Sequence, residues 1–406
     1  DMTENWRSIS LRDFVSLQRG HDLPTGQRGN GNIPVAGSNG IVGFHDKSIG
    51  IIPGVTIGRS GSIGNTQFFE DKYFPLNTTL YITDFQGNDA KFVYYFFSRF
   101  NFLRFDSGSV QPSLNRNFLY TAKVDIPPLQ EQKAIAHILG IFDEKIKLNR
   151  ETNQTLEGIA KTLFKSWFID FDPVNTKVED RSTGLPDEIS DLFPDSYEES
   201  EIGEIPSGWK IKPLDEVATF LNGLALQKFP ARGDLTDLPV IKIVELRKGN
   251  TSGSDKCSSE IGNEYIVSDG DVLFSWSGSL VVDLWTGGNG ALNQHLFKVN
   301  SSQYKKWFYL YWINHHLHEF QAIAQEKATS MGHIKRQHLT QSKVLIPQSE
   351  LFMRMDLLFD PLIKRQINLR LQIKTLIQLR DALLVKLISG EIRVPDAFKI
   401  LEEVGI

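Results

Sequence analysis

After Pro128 the chain sets seam positions alternately four and three residues apart, at Ile135, Leu139, Phe142, Ile146, Asn149, Asn153, Leu156, Ala160, Leu163 and Trp167. The same steps return at Met355, Phe359, Leu362, Gln366, Leu369, Ile373, Leu376, Arg380, Leu383 and Leu387. A mean spacing of about 3.5 residues marks a coiled-coil seam, so the pattern predicts two long helices, over 128–170 and 348–390, packed against each other. At ~1.5 Å per residue such a helix spans roughly 60 Å, more than a small domain needs for its own core, so the pair suits a spacer. Asn149, Asn153, Gln366 and Arg380 weaken the seam and are suited to fixing its register.

Ahead of each helix the pattern changes. Short β-branched runs such as GIIPGVTIG and DGDVLFSWSG, broken by Gly, Pro and Asn, predict strands joined by tight turns. Aromatic residues at helical spacing over 90–105 (Phe92, Tyr95, Phe96, Phe100) and over 303–326 predict one core helix in each stretch.

These stretches are two copies of one module. WRSISLRDF from Trp6 echoes WKIKPLDEV from Trp209, RSGS from Arg59 echoes WSGS from Trp276, and Asn77 and Leu80 echo Asn293 and Leu296. SVQPSLNRNFLYTAKVDIP, ending at Pro127, aligns without gaps to TSMGHIKRQHLTQSKVLIP, ending at Pro347. The repeat predicts a recognition module over 1–127, a helix over 128–170, a connector over 171–206, a second module over 207–347, a helix over 348–390 and a tail over 391–406. The fold class expected is mixed α/β (α+β): two similar domains with mixed sheets, separated by two antiparallel long helices and related by a pseudo-two-fold repeat.

Composition narrows the chemistry. The 406 residues are 40% hydrophobic, enough for real cores, and the single cysteine, Cys257, cannot form an internal disulfide. With no apolar run near the ~20 residues of a bilayer span, a cytoplasmic protein is expected. The net charge of −5 hides its distribution: residues 171–206 hold 11 acids against two bases, and the other 370 residues sum to +4. The acidic stretch, rich in Pro and Ser, predicts an exposed connector, and the modules are free to present basic faces to an acidic partner.

Catalytic signatures are missing. There is no Gly-Lys pair and so no phosphate loop, and the only Pro-Pro pair, Pro127 with Pro128, lacks the Asn or Asp before it and the aromatic after it that adenine methylation requires. Asp143, Glu144 and Lys145 resemble the tail of a nuclease motif without its upstream Pro-Asp, and they flank the seam. His315, His316 and His318 have no cysteine or acid at zinc spacing and read as a solvated helix face, so no metal site is expected. What remains suits reading a nucleic acid: glycine lets backbone N–H groups approach phosphates, while Arg, Asn and Gln match base edges. The first candidate surface is Ser38, Asn39, Arg59, Ser60, Ser62, Gln111, Ser113, Asn115 and Arg116; the second is Ser275, Trp276, Ser277, His333, Lys335 and Arg336. Turn glycines and serines explain any single loop equally well, and the recurrence at matching places favours function.

DIPPLQEQKAIAHIL from Asp125, LNRETNQTLEGIAKTLFKSWF from Leu148 and LRDALLVKLISGEI from Leu379 resemble the DNA specificity subunits of Type I restriction-modification systems, which serve in phage defence. The resemblance spans nearly the whole chain. It implies two target recognition domains, each reading one half of a split asymmetric site on double-stranded DNA, with the helices setting the spacer. It also implies two modification subunits that bind S-adenosylmethionine and methylate adenine, and ATP- and magnesium-dependent restriction subunits, with no catalysis in this chain. The second copy departs from the pattern, with QSELFM after Pro347 where the first has PLQEQK after Pro127, which predicts a different docking of the second helix start. A non-catalytic scaffold spacing two protein- or glycan-binding modules is the alternative, and a self-sufficient methyltransferase or nuclease has the missing motifs against it.

Overall fold

Both long helices form where the seam spacing places them, as Leu129–Phe168 and Ser349–Ile388, 40 residues each. Pro128 precedes the first, where its fixed φ favours a helical first turn. Gly390, at φ 74°, follows the second in the left-handed conformation that ends helices. The computed structural model describes residues 5–107, 112–326 and 332–403. They form two compact units, one of Asp1–Lys147 with Thr375–Ile406 and one of Leu148–Lys374. The divisions fall inside the long helices because helical turns pack on each module.

In the first unit Arg7–Ser10 pairs antiparallel with Lys123–Ile126, closing the module on itself. Between them lie a four-stranded antiparallel sheet, in the order Ser16–Arg19, Thr79–Asp84, Gly54–Gly58, Thr66–Phe69, and a three-stranded sheet, in the order Gly40–His45, Ile33–Gly37, Phe74–Pro75. The second unit repeats this. Lys210–Pro213 pairs with Lys343–Ile346, Thr219–Asn222, Leu296–Asn300, Val272–Ser275 and Val282–Leu284 form one sheet, and Lys256–Cys257, Leu238–Ile241, Gly290–Leu292 and Ile266–Val267 form the other. The three-stranded sheet and its four-stranded counterpart in the second unit are mixed, each with one parallel pair.

The aromatic helices form as Ala90–Arg99 and Lys306–Glu326. The first is shorter than its pattern, since it stops at Arg99 and a 3-10 turn, Phe102–Phe105, continues the aromatic run. Asp89 caps it by accepting the Phe92 N–H at 2.8 Å. One bridge corrects the sequence alignment by a residue: His21 pairs with Leu76 as Leu224 pairs with Asn293, so Gln294, and not Asn293, is the counterpart of Asn77.

The acidic stretch is mostly exposed, as expected, and it is also folded as part of the second unit. It forms helices Asp172–Val178 and Asp187–Ser190 and a hairpin, Tyr197–Ser200 with Gly203–Pro206. Val174, Phe193 and Ile205 enter one core with Trp167, Phe168 and Trp209. Phe171 holds the left-handed conformation at φ 54°, costly for a bulky side chain, and its ring meets Trp209 edge-on at 5.9 Å. Pro and acid suggested exposure; the few large apolar residues sufficed to anchor the segment. The tail likewise contains a helix, Val394–Glu403.

The seam is the most faithful part of the pattern. In the first unit Ile135, Leu139, Phe142, Ile146, Leu376, Leu383 and Leu387 are buried. There the helices run antiparallel, since Arg380 Nη1 donates to Asp143 Oδ1 at 2.7 Å while Arg393 lies 3.9 Å from Glu131. In the second unit Ala160, Trp167, Met355, Phe359 and Leu369 are buried, with Leu156, Leu163, Leu362 and Ile373 half-buried. Trp167 meets Phe359 edge-on at 6.0 Å and Asn149 Nδ2 donates to Gln372 Oε1 at 3.3 Å, again antiparallel. Asn149, Asn153 and Gln366 are 5%, 9% and 2% exposed, so they belong to the seam and not to a solvated face.

Candidate nucleic-acid interface

Three loops converge in the first unit. The hairpin tip at Ser38 and Asn39, the turn Arg59–Asn65 and the segment Ser113–Arg116 are distant in sequence but joined by hydrogen bonds. Ser60 bridges Ser113, Asn65 Nδ2 donates to Ser38 O at 3.0 Å, and Ser62 Oγ donates to Asn39 Oδ1 at 3.4 Å. The Arg59 backbone is pinned on both sides, its N–H to Thr78 O and its carbonyl to the Leu114 N–H, each at 2.8 Å, and the residue is half-buried. Gly58 is required at this crossing, because a Cβ there would lie 2.0 Å from Ser62 O.

Asn115 caps the turn Arg116–Leu119 by accepting the Asn117 N–H at 2.9 Å. Arg116 is partly structural: its Nη1 donates to Leu17 O at 3.2 Å. Ser113 is held by its N–H to Asp106 Oδ1 at 2.9 Å. Gln111 lies outside the described residues.

The second unit builds the same crossing with other side chains. Ser277 bridges His333 as Ser60 bridges Ser113. Trp276 occupies the place of Arg59, and its Nε1–H donates to Asn222 Oδ1 at 2.9 Å. Ser277 Oγ lies 2.9 Å from His295 Nδ1. Lys335 and Arg336 are exposed, yet Arg336 Nη2 donates to Phe220 O at 3.2 Å, the bond that Arg116 makes in the first unit.

Ser275 is corrected as a reader. It is fully buried, takes the position of Gly58, and its hydroxyl donates to Ser279 O and accepts the Val281 N–H, each at 2.8 Å. Ser277, 3% exposed, is equally enclosed, so in the second unit Trp276, His333, Lys335 and Arg336 carry the outward chemistry.

Sequence reading missed Asn65, Asn222 and His295, which tie these loops. Only the pairing shows the correspondence: Thr78 and His295 both follow the bridged residue by two positions, and their carbonyls accept the N–H at the matching loop positions, Arg59 and Trp276. The nuclease-like Asp143 has a structural occupation, accepting the Tyr95 hydroxyl at 2.5 Å besides Arg380. His316 is partly enclosed against Trp312 and lies 2.9 Å from Lys343 O, unlike the solvated face expected, while His315 and His318 are exposed. Among the described residues no group of three His, Cys, Asp or Glu is placed to hold a metal ion, and no helix is long and apolar enough to cross a membrane.

Comparison with known proteins places these features in a family. Residues 3–158 and 206–374 match the Type I restriction modification DNA specificity domain. The chain is 26% identical over 323 residues to the Type I restriction enzyme MjaIX specificity subunit of Methanocaldococcus jannaschii, covering 76% of this chain and 71% of that one. It is 24% identical over 328 residues to the HindI specificity subunit of Haemophilus influenzae, covering 69% and 71%. Among solved structures, the S subunit of a Type I restriction-modification system from M. genitalium shares the fold, with a TM-score of 0.57 and 15% identity over 94% of this chain and 96% of that one.

Proposed function

This chain belongs to the Type I restriction modification DNA specificity family, and from that premise we propose that each of its modules reads one half of a bipartite site on double-stranded DNA. The observation that carries the reading is the repeated crossing: Ser60 with Ser113, and Ser277 with His333, gather polar loops at equivalent places in both units. The flanking side chains differ, Arg59 against Trp276 and Asn115 against Lys335, as two modules reading different bases require.

The long helices set the distance between the half-sites and, with the modules, dock two modification subunits. Restriction subunits join them for cleavage. The chain itself supplies recognition and no catalysis; S-adenosylmethionine, ATP and magnesium belong to the partner subunits, and the assembly works in the cytoplasm.

The test is made on the complex assembled with its modification subunits. Arg59→Ala is expected to relax the methylated sequence at one position of one half-site, weakening the cognate site by ~1 to 3 kcal/mol and leaving the other half unchanged. Sequencing of methylated sites reads the outcome. An unchanged methylated sequence after both Arg59→Ala and Trp276→Ala would refute the assignment of these loops.

A further inference from the structure

We propose that the first unit carries a phosphate-binding stripe around the turn Arg116–Leu119, made by Arg12, Arg99, Arg104, Arg116 and Lys123. It takes the sugar-phosphate backbone beside the bases that the loops read, and so rests on the DNA-reading function above.

Two clefts of the first unit define the stripe. One, of about 640 Å³, is lined by Arg12, Arg116, Gln86, Asn117 and Tyr120. The other, of about 450 Å³, is lined by Arg99, Arg104 and Lys123 against the rings of Phe96, Phe100 and Phe105. The segment Tyr120–Lys123 links them along the chain, giving Tyr120 to the first cleft and Ala122 and Lys123 to the second.

The charge is unanswered. Among the described residues none of the five cations is ion-paired with a carboxylate, and Asp13, the one acid lining either cleft, accepts the Ser10 hydroxyl at 2.6 Å. Guanidinium groups mixed with amide and phenol donors are the set that phosphate oxygens engage. The aromatic wall excludes water on one side and strengthens attraction for an anion.

A nucleic acid fits better than an acidic protein because the stripe is continuous with the reading loops. Arg116 directly follows Asn115, and the Ser107 N–H donates to Ser113 O at 2.9 Å, tying the segment after Arg104 to the crossing.

The second unit keeps Arg336 in the place of Arg116 but lacks the rest of the stripe. Asp215 stands where Arg12 would, and accepts the Thr340 hydroxyl at 2.6 Å. Lys343, in the place of Lys123, is paired at 3.1 Å with Glu201 of the acidic segment. The helix Lys306–Glu326 has no lysine or arginine beyond Lys306. Sequence-independent affinity is therefore greater on the first unit.

The full chain carrying Arg12→Gln, Arg99→Gln, Arg104→Gln and Lys123→Gln, assembled with its modification subunits, is titrated over a salt series against duplexes with and without the methylated site. Affinity for both is expected to fall by the same factor, on the order of tenfold or more at 0.1 M salt. The plot of log K against log salt becomes shallower by about 0.9 for each phosphate that the variant no longer neutralises. The methylated sequence stays the same, and Lys343→Gln changes the slope little.

Unchanged affinity and slope would overturn the stripe. So would failure to assemble, which would make it a surface for a partner protein, or an altered methylated sequence, which would make these residues base readers. A wild-type complex that did not prefer its own site would instead refute the DNA-reading function, leaving the two failures distinct.

Discussion

Where the first long helix leaves its module the joint is polar; where the second leaves its own, it is aromatic. Gln132 and Phe352 occupy the same place, each five residues after the proline that ends the module. Gln132, 1% exposed, accepts the Asp89 N–H at 2.9 Å and donates to Asn88 Oδ1 at 2.8 Å and to Pro127 O at 3.0 Å. Phe352 packs against Phe308 and Tyr304 at 4.9 and 5.6 Å, and two turns on Phe359 stacks on Trp307 at 4.4 Å. The repeat keeps strand pairing and bridges but exchanges the chemistry of the joint. The divergence between PLQEQK and QSELFM, which suggested altered partner docking, has a use inside the chain.

The aromatic joint should be the more sensitive to truncation. Phe359→Ala removes a fully buried ring shared by Trp307 and Trp167, and is expected to cost ~3 to 5 kcal/mol in the second unit. Gln132→Leu keeps the volume but strands a backbone N–H, a carbonyl and an amide, costing ~2 to 3 kcal/mol in the first. Hydrogen exchange resolved by segment reads both, through reduced protection in Lys306–Glu326 or Ala90–Arg99 respectively. Equal loss of protection in both helices from either variant would show the joints are not separate.

A smaller effect sharpens the contrast between the seams. In the second unit Asn153 Oδ1 is buried without a hydrogen-bond partner among the described residues, and Gln366 Nε2 and Tyr311 Oη are buried with only each other for polar company, short of good hydrogen-bond geometry, whereas the first unit satisfies its polar seam group, Arg380, with Asp143. Burial pushes the Tyr311 hydroxyl up to about 12. Replacing all three by apolar groups, as Asn153→Leu, Gln366→Leu and Tyr311→Phe, is expected to stabilise the second unit by ~1 to 2 kcal/mol. A lower denaturation midpoint would instead mean that an ordered water satisfies these atoms and that the layer contributes stability.

The helices were legible because a seam is a one-dimensional signal: each position depends on its own spacing, and the steps of four and three hold in the first unit, while in the second Phe164 and Ile363 are buried more deeply than the neighbouring Leu163 and Leu362. The crossings were half legible. Recurrence picked out Arg59 and Trp276, but burial depends on partners far along the chain, so Ser275 looked like Ser60 until the Val281 N–H claimed its hydroxyl. The acidic segment was legible as exposed but not as folded, for a related reason. Composition averages over residues, while Val174, Phe193 and Ile205 act singly and need only a core to enter.

The two aromatic helices differ last in titration. Ala90–Arg99 has no histidine, whereas Lys306–Glu326 carries His316 against Trp312 and Phe320. Burial lowers the His316 pKa and outweighs both the Lys343 carbonyl at 2.9 Å and Glu319 at 3.7 Å, while His315 beside it is lowered as well. A histidine that resists protonation when folded gives stability that is complete above the ordinary imidazole range and is lost as pH falls through it, because the unfolded chain takes up the proton first. Asp356, raised by burial, acts in the opposite direction, so the comparison must isolate His316. His316→Gln keeps a donor for Lys343 O and is expected to leave stability at pH 7 within about 1 kcal/mol of wild type. It should also reduce the loss of protection in Lys306–Glu326 between pH 7 and 5, with Ala90–Arg99 unaffected. An identical pH slope in wild type and variant would show that His316 takes no part in the difference between the two units.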